Sequence, residues 1–458
     1  LNNEYDIAVI GGGVGGYVSA IRASQLNKKV ILIEKNKIGG TCLNVGCIPT
    51  KAFLKSINIL EEIKHASSYG LTNINEENIK IDMEKLLNKK NSIVDQLVSG
   101  IEGVLVGNGV ELVQGDAELI DKTSISVNGN RIKAKNIIIA TGSNPKELPI
   151  DIDPKAKVLD STDILNLDYI PKSCVIIGGG VIGVELGYFL KKAGSDVTII
   201  EFMNSILPMI DEEIQQLATE YLISEGIKIE TSSEAMEIKR STLIYKKNNA
   251  KKEVSFEEIL IAVGRNAVYE ESEIKNLGIK TKNNFIETNS YLQTNIPNIY
   301  AVGDVNGKSM LAHTASMEGV IAVEHICGLN NKMDYGKIPN AIYTNNEIAT
   351  VGMTEKEAKN KYENVKVGRF PFMANGKSKI EGCENGLIKA ISDHNTGEIL
   401  GVHVFGIHST NMIAEAVVAM NLEATPEEIV KCVHPHPTLS EVFQEVFHDL
   451  EDGSIHYL

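Results

Sequence analysis

Short aliphatic runs alternate with glycine-broken helical segments along the first part of the chain. Tyr5 to Ile10 is rich in β-branched and aliphatic residues, Tyr17 to Leu26 has helical composition, and Lys29 to Ile33 reads as strand again, ending at the acid Glu34. Between the first strand and the helix stands Gly11-x-Gly13-x-x-Gly16. Strand, glycine turn, helix, strand and acid, in that order, are what a dinucleotide site requires. The first glycine permits the tight turn, the second lets a pyrophosphate approach the backbone at the helix N-terminus, and the third lets the helix pack on the strand. Glu34 is placed to bond a ribose hydroxyl.

One such motif in a chain with 39 glycines is weak evidence, but the constellation occurs twice. Gly178, Gly180, Gly183 and Glu201 follow Gly11, Gly13, Gly16 and Glu34 at a constant offset, from 11 to 178 and from 34 to 201, so that Val30 to Glu34 aligns with Val197 to Glu201 without a gap. Two dinucleotides are implied. A carboxylate at Glu201 accepts from free ribose hydroxyls and repels a 2′-phosphate, and Phe202, Met203 and Asn204 supply no arginine, which favours NAD over NADP.

A chain of 458 residues with 43% hydrophobic composition suggests three or four domains at roughly 100–200 residues each. A formal net charge of -15 leaves no general footprint for nucleic acid or an anionic membrane surface. The most membrane-like stretch, Cys174 to Leu190, is broken by Gly178, Gly179, Gly180, Gly183, Glu185 and Gly187, so no spanning helix is expected. Leu1 to Asp6 carries acids where an export signal would carry bases. A cytoplasmic location is expected, with a mitochondrial matrix after removal of a transit segment left open, as is any segment before Leu1.

Of six cysteines, only Cys42 and Cys47 lie close together; Cys174, Cys327, Cys383 and Cys432 are expected to be buried small hydrophobes. A C-x4-C pair alone offers two thiolates where structural zinc or iron-sulfur centres want four ligands, so no metal is expected. An inert disulfide is disfavoured in a reducing compartment, whereas a redox-active pair suits the neighbouring dinucleotide site. Cys47 precedes Pro49 at the first turn of a segment that reads as helix through Lys64. There the helix dipole favours the thiolate.

The segment Gly39-Gly-Thr-Cys42-Leu-Asn-Val-Gly-Cys47-Ile-Pro49-Thr-Lys51 resembles the active-site segment of the flavoprotein disulfide reductases, and within them the dihydrolipoyl dehydrogenases. The resemblance implies that Cys42 is the interchange thiol, that Cys47 is the charge-transfer thiol against the flavin, and that Lys51 pairs with Glu185. By composition alone, Lys51 and Glu185 would be surface charges. The likeness extends the FAD contacts to Lys35, Gly40, Thr41, Gly115 and Ala117. It adds Thr141, Gly142 and Ser143 after the run from Asn136, and Gly264 and Arg265 after the run from Ile259. Gly303 and Asp304 resemble the second flavin motif, and Leu311, Ala312 and His313, leading to Glu318, resemble the segment beneath the flavin ring.

Near the C-terminus, His434-Pro435-His436-Pro437-Thr438-Leu-Ser-Glu441 resembles the dihydrolipoyl dehydrogenase signature. It implies His436 as base, oriented by Glu441; His434 does not match that position. Thr438-x-x-Glu441 also reads as a capping box opening a helix through Phe447. In the family this histidine serves the partner subunit, which implies a homodimer. Two departures are Asn346 in place of a usual proline within Tyr343-Thr-Asn-Asn-Glu347, and Thr50 in place of a common serine.

The expected architecture is α/β. FAD-binding residues 1–143 and 265–334 flank an inserted NAD-binding part, 144–264, and an α+β interface part, 335–458, follows. The expected activity is oxidation of dihydrolipoyl groups by way of Cys42 and Cys47, FAD and NAD, with lipoyl domains of 2-oxoacid dehydrogenase complexes or the glycine cleavage H-protein as partners. Glutathione and mercuric reductases are rivals within the class, and a flavin-dependent redox-sensing or scaffold protein is a rival outside it.

Overall fold

The computed structural model describes residues 4–73 and 79–458; Leu1 to Asn3, part of the acidic N-terminus read above, lie outside them. A seven-stranded sheet begins the chain. Its parallel part runs Glu111–Gln114, Val30–Glu34, Glu4–Ile10 and Asn130–Ile139. The last strand also pairs in parallel with Ile299–Ala301, returned from far along the chain. Both faces are covered over Ile7 to Ile10, Val30 to Ile33 and Ile137 to Ile139, so these stretches read as unbroken aliphatic runs, whereas Arg131 to Ala134 alternates. Ile7, Ala8, Val9, Ile31 and Leu32 are all fully buried.

A second parallel sheet runs Lys228–Glu230, Asp196–Ile200, Ser173–Ile177, Glu258–Ile261 and Val158–Leu159. The helix packed on the first sheet is Val14–Gln25, and its counterpart on the second is Val181–Lys192. Both ends of that helix are displaced by the same 167 positions as the glycines, from 14 to 181 and from 25 to 192. The chain leaves the first unit along Ser143–Pro145 and returns along Arg265–Ala267, and these two segments pair antiparallel. A single two-stranded link therefore carries both crossings.

The third unit is a five-stranded antiparallel sheet in the order Asn340–Ile342, Glu347–Gly352, Ile399–Gly406, Leu387–Asp393 and Val365–Pro371. Helices Ser409–Asn421 and Glu441–Glu451 pack against it through Ile413, Ala416, Phe443 and Phe447. It is tied to the second unit by charge: the buried Lys389 Nζ lies 2.8 Å from Asp211 and 3.0 Å from Glu213 of that unit, and 2.6 Å from Glu355 of its own. Among the described residues, no helix is long and apolar enough to cross a membrane.

Two expectations need correction. The capping box is only half formed: Thr438 N–H donates to Glu441, but the Thr438 hydroxyl donates to Pro435 O, and the helix starts at Glu441 with Ser440 as its cap residue. The proline-rich turn, rather than the helix backbone, takes that hydroxyl. Cys432 is exposed, not buried, because it follows the short helix Pro426–Val430 outside any repeating apolar face; Cys174 alone of the four is buried.

The first and last glycines of each turn admit no side chain. A Cβ on Gly11 would sit 2.3 Å from Ala140 O and one on Gly178 2.3 Å from Ala262 O, each at positive φ. A Cβ on Gly183 would sit 2.0 Å from Gly178 O. Gly183→Ala is therefore expected to spread the second turn and, on the expected assignment of NAD to that turn, to raise KM for NADH by about ten-fold or more for a strain of roughly 1–3 kcal/mol. Flavin absorbance of the purified variant should stay at the parent level, since the first turn, expected to hold FAD, is untouched; steady-state kinetics and a visible spectrum check both.

Candidate active site

A cleft of about 1100 Å³ runs between the units and is lined by Gly13, Gly180, Cys42, Cys47, Arg265 and Asp304, among others. Both glycine turns open into it. A Cβ on Gly180 would meet nothing within 4 Å, and one on Gly13 only Gly40 Cα at 3.9 Å. Neither helix that starts there has a side-chain cap or an acid in its first turn. Their leading N–H groups remain for an anion, which is the environment a dinucleotide pyrophosphate needs. The cradle fits such a group twice.

Glu34 and Glu201 act alike. Glu34 accepts from Gly12 N and Asn36 N at 2.6 Å each, and Glu201 accepts from Gly179 N at 2.5 Å and Met203 N at 2.6 Å. Each carboxylate thereby braces its own turn and keeps lone pairs for ribose hydroxyls. Glu34 O also accepts from Gly115 N at 3.0 Å, which ties Gly115 to the end of Val30–Glu34 beside Lys35; Ala117 opens the strand at the other end of the sheet order. Thr141 donates to Val268 O across the crossing link. Ser143 donates to Asp304, while Arg265 donates to Ser143 through Nε at 2.7 Å and Nη2 at 2.6 Å. Thr41, Gly142, Gly264, Gly303, Leu311, Ala312 and His313 line the same cleft; Gly40 abuts the turn at Gly13.

Cys42 lies in the short helix Gly40–Val45 and Cys47 is the first residue of Cys47–Lys64. The two thiols are close enough to act on each other's acidity. The Cys42 thiol, aided by the Lys51 charge and opposed by burial, lowers the Cys47 pKa to about 7. The neighbouring Cys47 sulfur, together with burial, pushes the Cys42 thiol far up. The pair is thus polarised, with the thiolate on Cys47. Thr50 supplies the hydroxyl expected of the usual serine, donating to Gly46 O at 2.8 Å.

Lys51 Nζ lies 2.7 Å from Glu185, whose side chain is only 4% exposed. These are not surface charges. Burial pushes the Glu185 carboxyl up, and Lys51 with the Tyr343 N–H, 2.9 Å from Oε1, opposes it. Sequence reasoning missed Tyr343, which it noted only for the neighbouring Asn346. It also gave no role to Glu318, fully buried, whose Oε2 accepts from Gly303 N at 2.6 Å and Asn306 at 2.9 Å. A carboxylate at helical spacing from Ala315 and Ala322, on the buried face of helix Ala312–Ile326, was the available signal.

His436 stands apart. Its Nδ1 is 2.8 Å from Glu441 Oε1, but its side chain is 79% exposed and does not line the cleft. Burial of Glu441 is outweighed by the Thr438 N–H and His436, which hold its carboxyl below the usual range. His434 pairs instead with Glu415 at 2.8 Å, which raises its pKa.

Paired glycine cradles, a polarised dithiol and a buried Lys–Glu pair on one cleft define a dinucleotide-dependent disulfide oxidoreductase. Residues 5–319 match the pyridine nucleotide-disulphide oxidoreductase family and residues 338–447 match its dimerisation domain, so the chain belongs to that family, whose chemistry uses FAD and NAD(H). Its relatives include the dihydrolipoyl dehydrogenase of Bacillus subtilis (strain 168), 40% identical with 100% of both chains covered. That of Thermus scotoductus is 40% identical over 99% of each chain. Dihydrolipoyl dehydrogenase 1, mitochondrial, of Arabidopsis thaliana is 38% identical, covering 99% of this chain and 92% of that one. Among solved structures, the HOCl-induced flavoprotein disulfide reductase RclA from Escherichia coli superposes with a TM-score of 0.84 at 26% identity, covering 97% and 99% of the two chains.

With Cys47 lowered to about 7, alkylation of the reduced protein by iodoacetamide is expected to gain its fast phase as pH rises through that value. Cys47→Ser should remove the phase, leaving only reaction at or above the usual thiol range near ~8.5. Rates followed from about pH 5 to 9 by peptide mass would check this.

Proposed function

We propose that this protein oxidises dihydrolipoyl groups to lipoyl disulfides and reduces NAD, with Cys42 and Cys47 as the exchanging pair. The observation that carries the reading is the placement of Cys42 and Cys47, with Cys47 the more acidic, on the wall of a cleft that two dinucleotide cradles share. We read residues 1–143 and 265–334 as holding FAD, 144–264 as holding NAD and 335–458 as the interface. When bound, FAD supplies a two-electron carrier between the thiol pair and the nicotinamide.

In the oxidised pair, one dihydrolipoyl thiolate attacks Cys42 Sγ, forming a mixed disulfide and releasing Cys47 as thiolate. The second substrate thiolate then attacks its own mixed-disulfide sulfur, closing the lipoyl ring and releasing Cys42. Two electrons pass from substrate to protein, and two substrate protons go to base and solvent. Departure from sulfur is faster for the more acidic thiol, so the low Cys47 pKa and the Lys51 charge favour its leaving. His436, held by Glu441 at Nδ1, takes the substrate proton.

Because His436 is exposed and does not line the cleft of its own chain, we read a homodimer in which each chain lends this residue to its partner. Lipoyl-bearing domains of 2-oxoacid dehydrogenase complexes or of the glycine cleavage system are the proposed partners. A reducing compartment such as the cytoplasm suits the free thiols.

Cys42→Ser is expected to abolish lipoamide-dependent turnover, and His436→Ala to lower kcat by about 10²–10⁴-fold. Glutathione disulfide and mercuric ion, assayed beside lipoamide, should be turned over poorly. Turnover of lipoamide by Cys42→Ser near the parent rate would remove the assignment.

A further inference from the structure

The Lys51–Glu185 pair is completed by a residue of the C-terminal sheet. Tyr343 opens the turn between strands Asn340–Ile342 and Glu347–Gly352 and lines the cleft. Its ring lies 4.5 Å from Lys51 Nζ, and its backbone N–H holds Glu185. The turn is well fixed. Thr344 donates to Asn346 O, and the Asn346 amide donates to Asn385 O at 3.0 Å. Glu347 Oε2 accepts from Thr410 N at 2.9 Å and its hydroxyl at 2.7 Å, anchoring the turn to helix Ser409–Asn421.

Cys47 feels charges from several elements: Cys42, Lys51 on its own helix, Glu185 from Val181–Lys192, and Arg265 from the crossing link; Tyr17 faces Cys42. Lys51 favours a thiolate at Cys47 and Glu185 opposes it. A second carboxylate on the free side of Lys51 would cancel its field, and an aliphatic side chain would offer it no attraction. An aromatic face attracts the ammonium without neutralising it.

We propose that Tyr343 is a positioning residue that holds the Lys51 ammonium beside the thiol pair, so that the C-terminal unit governs how strongly this charge is felt at Cys47. The proposal rests on the reading of Cys42 and Cys47 as the redox pair. No hydrogen bond of the Tyr343 hydroxyl occurs among the described residues, so the ring face is the active element.

The test is the pH profile of iodoacetamide alkylation at Cys47 in the reduced, flavin-loaded full chain, for Tyr343→Leu, Tyr343→Phe, Lys51→Met and the Tyr343→Leu/Lys51→Met double variant. Tyr343→Leu is expected to move the midpoint upward, lowering the thiolate fraction at neutral pH about three-fold, a typical effect of a lost cation–π contact. Tyr343→Phe should follow the parent curve. Lys51→Met should move it upward as well, and in that background Tyr343→Leu should add nothing, the coupling that merely structural damage would not produce. If Tyr343→Leu does not accumulate with flavin, Tyr343→Met, which keeps bulk without a ring face, takes its place with the same expectation. A Tyr343→Leu curve that overlays the parent, or a shift of equal size with and without Lys51, overturns the proposal. A Lys51→Met curve that overlays the parent overturns instead the reading of the site beneath it.

Discussion

The contact between Lys51 and Glu185 is the constraint around which the cleft is organised. A carboxylate as buried as Glu185 cannot stay ionised without a partner, and losing one member of such a pair typically costs about 3–5 kcal/mol. The ammonium comes from the helix that begins at Cys47, the carboxylate from the helix that begins at the second glycine turn, and a supporting N–H from the antiparallel sheet. Three units therefore meet at one charge pair. Because that pair sits beside the thiols, the docking of the units and the acidity of Cys47 are parts of the same arrangement.

The two dinucleotide cradles show how closely one backbone solution can be repeated. In both, a carbonyl stands 2.3 Å from where the first glycine would carry a Cβ, and a carboxylate 23 positions on, from Gly11 to Glu34 and from Gly178 to Glu201, reaches back to the turn. The repetition is steric rather than decorative: helix, strand and turn can approach this closely only without side chains at those positions. What distinguishes the two is their setting. The first continues into the cysteine segment, and the second into Phe202 and Met203, which are largely exposed.

The C-terminal unit contributes in two ways. Its turn at Tyr343 reaches the cleft of its own chain, whereas the proline-rich turn before its last helix carries an exposed His436, paired with Glu441 at the helix start. The departures from the family pattern are accommodated without loss. Asn346 uses its amide to bond Asn385 O, and its backbone N–H, which a proline would lack, faces the Tyr221 hydroxyl.

Motif order and spacing made both cradles, the cysteine pair, the helix after Cys47 and the α/β class legible, because local backbone geometry forces those residue types into those positions. The doubled offset survived folding, even to the helix ends. Other features depended on contacts between residues far apart in the chain, which periodicity does not encode. That Glu185 is buried, that Tyr343 lies over Lys51, and that Glu318 supports the turn at Gly303 follow only from how the units pack. So do the exposure of Cys432 and the incomplete cap at Thr438, where a proline-rich turn won the hydroxyl that a local pattern had assigned to the helix. Short-range sterics fix the elements, and long-range burial decides which charges are left to face one another.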